Sequence, residues 1–323
     1  MTGTKVDDRF WHPALFYSDH DDYLAGTVSF VQEGLAAGEP VAVAVPGDNL
    51  RLLRAALGEQ GEAVQFLDMT EAGRNPGRII PRVLRGFADA HTTGRVRIIG
   101  EPIWAGRTAT EYPACVQHEA LINAAFQGRA VSILCPYDIS RLDPAVLADA
   151  HATHPTVIER GQERPSGAYA PEQVVSRYNQ PLPPAPSDAA QFPFDAAALP
   201  GARRFATEQA ARLGLAKDRT ADLELAVAEL TTNSVVHGGG RGTLRLWAEG
   251  RQLVCEVNDA GVHTDPLAGR IPPPGARPGG RGLLLVNVLA DLVRLHTGPA
   301  GTTTRIYLAT EKHAPEAHRA SGT

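Results

Sequence analysis

The proline-rich stretch between about residues 160 and 200 constrains this chain most. It reads RPSGAYAPEQ and then QPLPPAPSDAAQFPFDAAALPG. Proline lacks the N–H that a helix interior or a central strand requires, and its ring fixes φ. The chain on either side of such a stretch is therefore expected to fold around its own core. A length of 323 residues accommodates two domains. The expected division is a first domain over 1–160, a Pro/Ala-rich linker over 161–199, a second domain over 200–312 and a tail over 313–323.

Before this seam, short apolar runs alternate with amphipathic stretches. ALFY (14–17), PVAVAVP (40–46), VQFLD (64–68), VRIIGE (96–101) and AVSILCP (130–136) read as strands. Tyr23 to Leu35, Leu50 to Leu57, Ile79 to Ala90 and Tyr112 to Phe126 read as helices. Strands that are apolar on both faces and separated by helices imply a parallel sheet covered on both sides. The first domain is expected to be a three-layer α/β fold.

After the seam the pattern changes to helix, helix, strand, strand, long loop, helix, strand. The helices are Ala202 to Arg212 and Arg219 to His237, and the strands are 243–249, 253–259 and 302–309. The middle strands, joined by Gly250, Arg251 and Gln252, suit an antiparallel hairpin. This predicts an α+β two-layer sandwich.

Bulk chemistry narrows the function. The formal net charge is −5, which argues against binding nucleic acid by general phosphate attraction. No secretory signal is visible, and no run reaches the ~18 apolar residues of a membrane span. A cytoplasmic protein is expected. Three cysteines, Cys115, Cys135 and Cys255, fit a reducing compartment. Cys255 reads as a small buried hydrophobe. Cys115, His118 and Cys135 are of metal-ligating types, but no fourth ligand is spaced to join them, so no metal site is expected from them.

Four motifs in the C-terminal part carry chemistry. In ELTTNSVVHGG, Glu229, Asn233 and His237 are four residues apart and form one drifting helical stripe. Leu223, Val227, Leu230 and Ser234 form the neighbouring stripe, suited to packing on a sheet. An Asn side-chain oxygen can ligate Mg2+, and a nearby carboxylate can take a proton from an attacking hydroxyl. In VNDAGV, Asp259 continues the inward parity of Leu253, Cys255 and Val257, and Gly261 permits a close backbone approach. In PGGRGLLLVNVLAD, Gly279, Gly280 and Gly282 open directly into an apolar helix beginning near Leu283, with Arg281 adding positive charge. Free N–H groups at a helix N-terminus bind phosphate. Finally, Thr302 opens the last strand and shares a face with Thr304, Ile306 and Leu308.

In order, spacing and placement, these motifs resemble the N, G1 and G2 boxes and the closing Gly-Thr of the histidine-kinase, gyrase and Hsp90 ATPase superfamily, over residues 200–310. The form ELTTNSVVHGG is most similar to the anti-sigma-factor serine kinase branch. The resemblance implies ATP with Mg2+ as cofactors, Asn233 as the Mg2+ ligand and Asp259 as the adenine-selecting carboxylate. It implies Gly279, Gly280, Arg281, Gly282 and Leu283 over the phosphates, with His237, Gly261 and Thr302 completing the nucleotide site. Glu229 would be the catalytic base that activates a serine hydroxyl. The implied activity is that of an ATP-dependent protein serine/threonine kinase acting in signal transduction and transcription regulation. The implied partners are a sigma factor and an anti-anti-sigma protein of STAS type. The alternatives are a non-catalytic ATP-binding clamp on a protein partner and a sensor histidine kinase-like protein lacking its acceptor-His domain. A histidine autokinase lacks an acceptor: His151 and His154 read as turn or surface residues, since Pro155 disfavours a continuing helix.

The first domain lacks a Walker A loop. Its segments HPALFYSDHDDYLAGTVSFVQEGLAAGEPVAVAVP, IIGEPIW and ILCPYD resemble the MEDS sensory domain and suggest a RecA-like sheet without its phosphate loop. That resemblance implies a small organic ligand. His12, Tyr17, Glu101, Trp104 and Tyr137 lie near strand ends, and Tyr17, Glu101 and Tyr137 are expected to line a crevice at the carboxyl end of the sheet. No direct nucleic acid and no membrane partner are expected, and a homodimer is compatible with the reading.

Overall fold

The computed structural model describes residues 10–272 and 280–310. Of these, residues within 1–180 and 264–288 make one compact unit, and those within 181–263 and 289–323 make a second.

The first unit opens with β1 (Pro13–Tyr17), α1 (His20–Ala36), β2 (Val41–Val45), α2 (Gly47–Leu57), β3 (Val64–Asp68) and α3 (Met69–Ala72). A π-helical stretch over Ile79–Leu84 leads into α4 (Arg85–Ala90). Then come β4 (Val96–Gly100), α5 (Tyr112–Ala125), β5 (Val131–Asp138), α6 (Pro144–Thr153), β6 (Thr156–Glu159), β7 (Gln162–Pro165) and α7 (Pro171–Tyr178). The sheet order is β3-β2-β4-β5-β1-β6-β7, parallel throughout except for β7. All five residues of β1 and of β2 are buried, as the two-sided apolar runs require. Alternation splits the core. Leu15, Tyr17, Val43, Ile99 and Leu134 pack with α1 and α2 on one face. Ala14, Phe16, Ile98, Ile133, Cys135 and Tyr137 pack with the 79–90 segment and α5 on the other. The three-layer expectation is met.

Much of the stretch expected to be a linker is regular structure. β7 hairpins back on β6, and α7 docks through Val174, which is 1% exposed. Arg177 reaches the buried Asp149 at 2.5 Å, and the Tyr178 and Tyr112 hydroxyls donate to the same carboxylate. Its prolines stand at permitted positions: Pro165 ends an edge strand and Pro171 opens α7. α6 was also unforeseen. His154, expected in a turn or on the surface, caps α6 and is fully buried.

The second unit begins with β8 (Ala190–Asp195), α8 (Leu199–Arg212), α9 (Lys217–His237), β9 (Arg241–Glu249) and β10 (Gln252–Asp259). β11 (Leu292–Gly298) and β12 (Gly301–Ala309) follow, while α10 (Gly282–Leu289) belongs to the first unit through residue 288. Five antiparallel strands run in the order β11-β12-β10-β9-β8. The expected β9–β10 hairpin is present, while β8 and β11 add two strands to the three foreseen. Leu223, Ala226, Val227 and Leu230 of α9 are buried with Leu253, Cys255 and Val257 of β10. The opposite face holds a buried Glu256–Arg305 ion pair at 2.5 Å, and Arg305 also donates to the Pro183 carbonyl. This is the predicted α+β sandwich.

Candidate functional site

The end of α9 meets the end of β10. Asp259, on the inward parity of β10, turns its carboxylate to the helix. The Ser234 hydroxyl donates to Oδ2 at 2.6 Å, and the Gly261 N–H donates to Oδ1 at 2.8 Å. A carboxylate offers about four acceptor positions, so positions remain for a ligand donor. Ser234 was grouped with the core stripe in the sequence; here it also holds the carboxylate. The signal was a hydroxyl one turn from Leu230 on an otherwise apolar face, and the register with β10 turns it into a positioning residue.

Gly261 makes its close approach to protein backbone. A Cβ there would lie 2.7 Å from the Gly238 Cα and 2.8 Å from the His237 carbonyl oxygen. Ala260 N–H bonds the Gly238 carbonyl across the same junction. Thr302 pairs with Asp259 in the β10–β12 register. Its hydroxyl donates to the Gly261 carbonyl at 2.8 Å and lies 2.9 Å from the Thr297 hydroxyl. The expected Asp259–Thr302 neighbourhood is therefore formed, with Thr302 tied to the Gly261 turn. On α9, Glu229 and Asn233 are half-buried and His237 is exposed.

The glycine loop stands apart from this group in one respect. Gly280, Arg281, Gly282 and Leu283 fall in the first unit, whereas Glu229, Asn233, His237, Asp259, Gly261 and Thr302 fall in the second. Gly279 lies outside the described residues. Within the first unit, Leu267 and Ile271 pack against its core. Asn75 donates to the Asn287 carbonyl at 2.8 Å, and Asn287 donates to the Gly269 carbonyl at 3.0 Å.

The five residues expected near a sensory crevice separate by strand parity. Tyr17 and Glu101 lie on the α1/α2 face, at the carboxyl ends of β1 and β4. Asn49 donates to both Glu101 oxygens, at 3.0 and 2.8 Å, and Tyr17 hydrogen-bonds the same carboxyl. Burial pushes the Glu101 carboxyl up to about 8, against the opposing effect of these hydrogen bonds. Tyr23 completes the group with a buried hydroxyl that has no hydrogen-bond partner among the described residues. Tyr137 lies on the opposite face, 1% exposed, so it does not join Tyr17 and Glu101. Trp104 is half-buried in the loop after β4, with the Arg107 guanidinium 4.0 Å from its ring centroid.

His12 precedes β1, at the opposite end of the strand from Tyr17. It lies fully buried among Glu119, Cys135 and His154, and burial lowers its pKa toward the neutral imidazole. Of Cys115, His118 and Cys135, only Cys135 belongs to this cluster among the described residues. Glu119 escaped the sequence reading, although an acid inside the apolar helix ACVQHEALINAA is a signal for a buried partner.

These arrangements agree with the family comparisons. Residues 192–308 match the histidine kinase-like ATPase domain, and residues 11–155 match MEDS, the methanogen/methylotroph, DcmR sensory domain. The chain therefore carries a sensory-type domain and an ATPase-type domain, and the latter implies ATP binding. Among solved structures, the RsbU and RsbW domains of Rv1364c from Mycobacterium tuberculosis are similar at 21% identity. That match covers 39% of this chain and 33% of that one, with a TM-score of 0.30. No curated protein matches the chain. Among the described residues, no helix is long and apolar enough to cross a membrane.

Proposed function

We propose that this protein is an ATP-dependent anti-sigma-type regulator: a protein serine/threonine kinase whose sensory domain governs the phosphorylation of an anti-anti-sigma partner. The observation that carries the nucleotide half is Asp259, held by Ser234 and the Gly261 N–H at the edge of the α9 stripe. In this reading Asp259 accepts from the adenine amino group, and Thr302 buttresses the Gly261 turn beside it. Asn233 holds Mg2+. Bound Mg2+ would offset phosphate charge during transfer. Glu229, one turn before Asn233, accepts the proton of the incoming serine hydroxyl. Tyr17, Asn49 and Glu101 are the proposed receptor for a small organic signal, with Glu101 protonated near neutral pH and able to donate a hydrogen bond.

The test mixes full-length protein with radiolabelled ATP, Mg2+ and candidate anti-anti-sigma proteins. Phosphoserine on one of them is expected. Tight ATP binding with no phosphoserine on any candidate would instead support the non-catalytic clamp. Asn233→Ala and Asp259→Asn are each expected to abolish ATP binding. Glu229→Ala should spare binding and remove transfer, and unchanged transfer would refute its role as the base.

A further inference from the structure

We propose that the sensory domain contains a transition-metal site of zinc type, formed by His12 Nε2, Glu119 Oε2, Cys135 Sγ and His154 Nε2. The four side chains come from the residue before β1, from α5, from β5 and from the cap of α6. All four are buried, with relative exposures of 0–1%. Their ligand atoms lie within 4.8 Å of one another.

Four of the six separations between ligand atoms match a metal polyhedron. A tetrahedral ion bound at ~2.0–2.1 Å to N or O and ~2.3 Å to S places neighbouring ligand atoms about 3.3–3.6 Å apart. Glu119 Oε2 lies 3.4 Å from His12 Nε2 and 3.3 Å from His154 Nε2. Cys135 Sγ lies 3.4 Å from His12 Nε2 and 3.6 Å from Glu119 Oε2.

The hydrogen bonds behind the ligands point the same way. His154 Nδ1 is 2.9 Å from the Ala150 carbonyl, which can only accept, so Nδ1 carries the proton. Asn123 donates its amide to the Thr153 carbonyl at 2.8 Å, so its oxygen faces His12 Nδ1 at 3.1 Å and fixes that tautomer too. With Nδ1 committed elsewhere, both rings turn Nε2 toward one carboxylate oxygen. Among the described residues, His154 Nε2 and Glu119 Oε1 are buried without a hydrogen-bond partner. Two ring nitrogens, a carboxylate oxygen and the Cys135 sulfur, whose thiol donates to Glu119, thus converge in a dry interior, where a cation taking the place of the thiol proton would satisfy them together. Metal-binding histidines are typically oriented by such an outer hydrogen bond. A thiolate and a carboxylate also cancel the charge of a divalent ion, leaving the buried group neutral. Mixed thiolate and imidazole donors favour zinc over magnesium or calcium.

The site stands independently of the nucleotide reading. Full-length protein would be unfolded and refolded with Co2+ or Zn2+, dialysed, and analysed for metal content and visible absorption. The expected result is about one ion per chain, with tetrahedral Co2+ bands and a sulfur-to-cobalt charge-transfer band. Cys135→Ser should lose that band and bind at least about tenfold more weakly, with circular dichroism confirming its fold. His154→Gln is a second variant with the same expected loss. Refolded wild type without stoichiometric metal, or with cobalt lacking the thiolate band, would overturn the proposal. So would Cys135→Ser or His154→Gln that is folded and binds metal as wild type does.

Discussion

Ser234→Ala tests whether the nucleotide site depends on how Asp259 is held. The hydroxyl lies 2.6 Å from Asp259 Oδ2 and 3.1 Å from the Leu230 carbonyl. One proton serves one strong bond, and the shorter, charged contact takes it. A hydrogen bond to a charged group contributes about 1.5–3 kcal/mol. Asp259 is half-buried, so water replaces part of the loss, which places the effect near the lower end, about 1.5 kcal/mol. At 1.4 kcal/mol per decade, ATP should bind roughly tenfold more weakly. The Gly261 N–H still holds Oδ1, so the loss is smaller than for Asp259→Asn. Isothermal titration with a non-hydrolysable ATP analogue and fixed Mg2+ measures it, with Ser234→Thr expected to keep most of the affinity. A lowered melting temperature with affinity within about twofold of wild type would refute the reasoning, because Ser234 would then serve only the packing of α9.

Three further outcomes follow from the same structure. Glu101 is raised to about 8, so between the ordinary carboxylate value and pH 8 the unfolded chain ionises while the folded chain stays protonated. Its contribution is full at acid pH and is lost as pH rises through 8, so thermal melts from pH 5 to 9 should decline more steeply in wild type than in Glu101→Gln. Gly301 has φ +121°, and a Cβ there would lie 2.0 Å from the Asp259 carbonyl oxygen. Gly301→Ala should therefore destabilise the second unit by at least about 2 kcal/mol, read by denaturant titration against wild type. Arg305→Met leaves the buried Glu256, among the described residues, with the partly exposed Arg245 as its ion-pair partner and should cost about 3–5 kcal/mol in the same titration.

Local pattern carried far in this chain. Apolar runs announced the five parallel strands β1 to β5, although edge strand β3 buries only Val64. Parity along β10 was enough to turn Asp259 inward, and the helical period put Glu229 and Asn233 on one stripe. The proline-rich seam was misleading, because proline excludes only interior positions. Edge strand β7, the first turn of α7 and edge strand β8 all tolerate it.

What the tertiary structure decided was convergence. Ser234 reaches Asp259 only because α9 lies across β10, and Tyr137 is parted from Glu101 because their strands present them on opposite faces. His12, Glu119, Cys135 and His154 are separated by up to 142 residues, counted from His12 to His154. They meet because β1 lies between β5 and β6, with α5 and the cap of α6 over one face. Periodicity reports the face on which a side chain lies, whereas strand order and helix placement decide which distant side chains share that face.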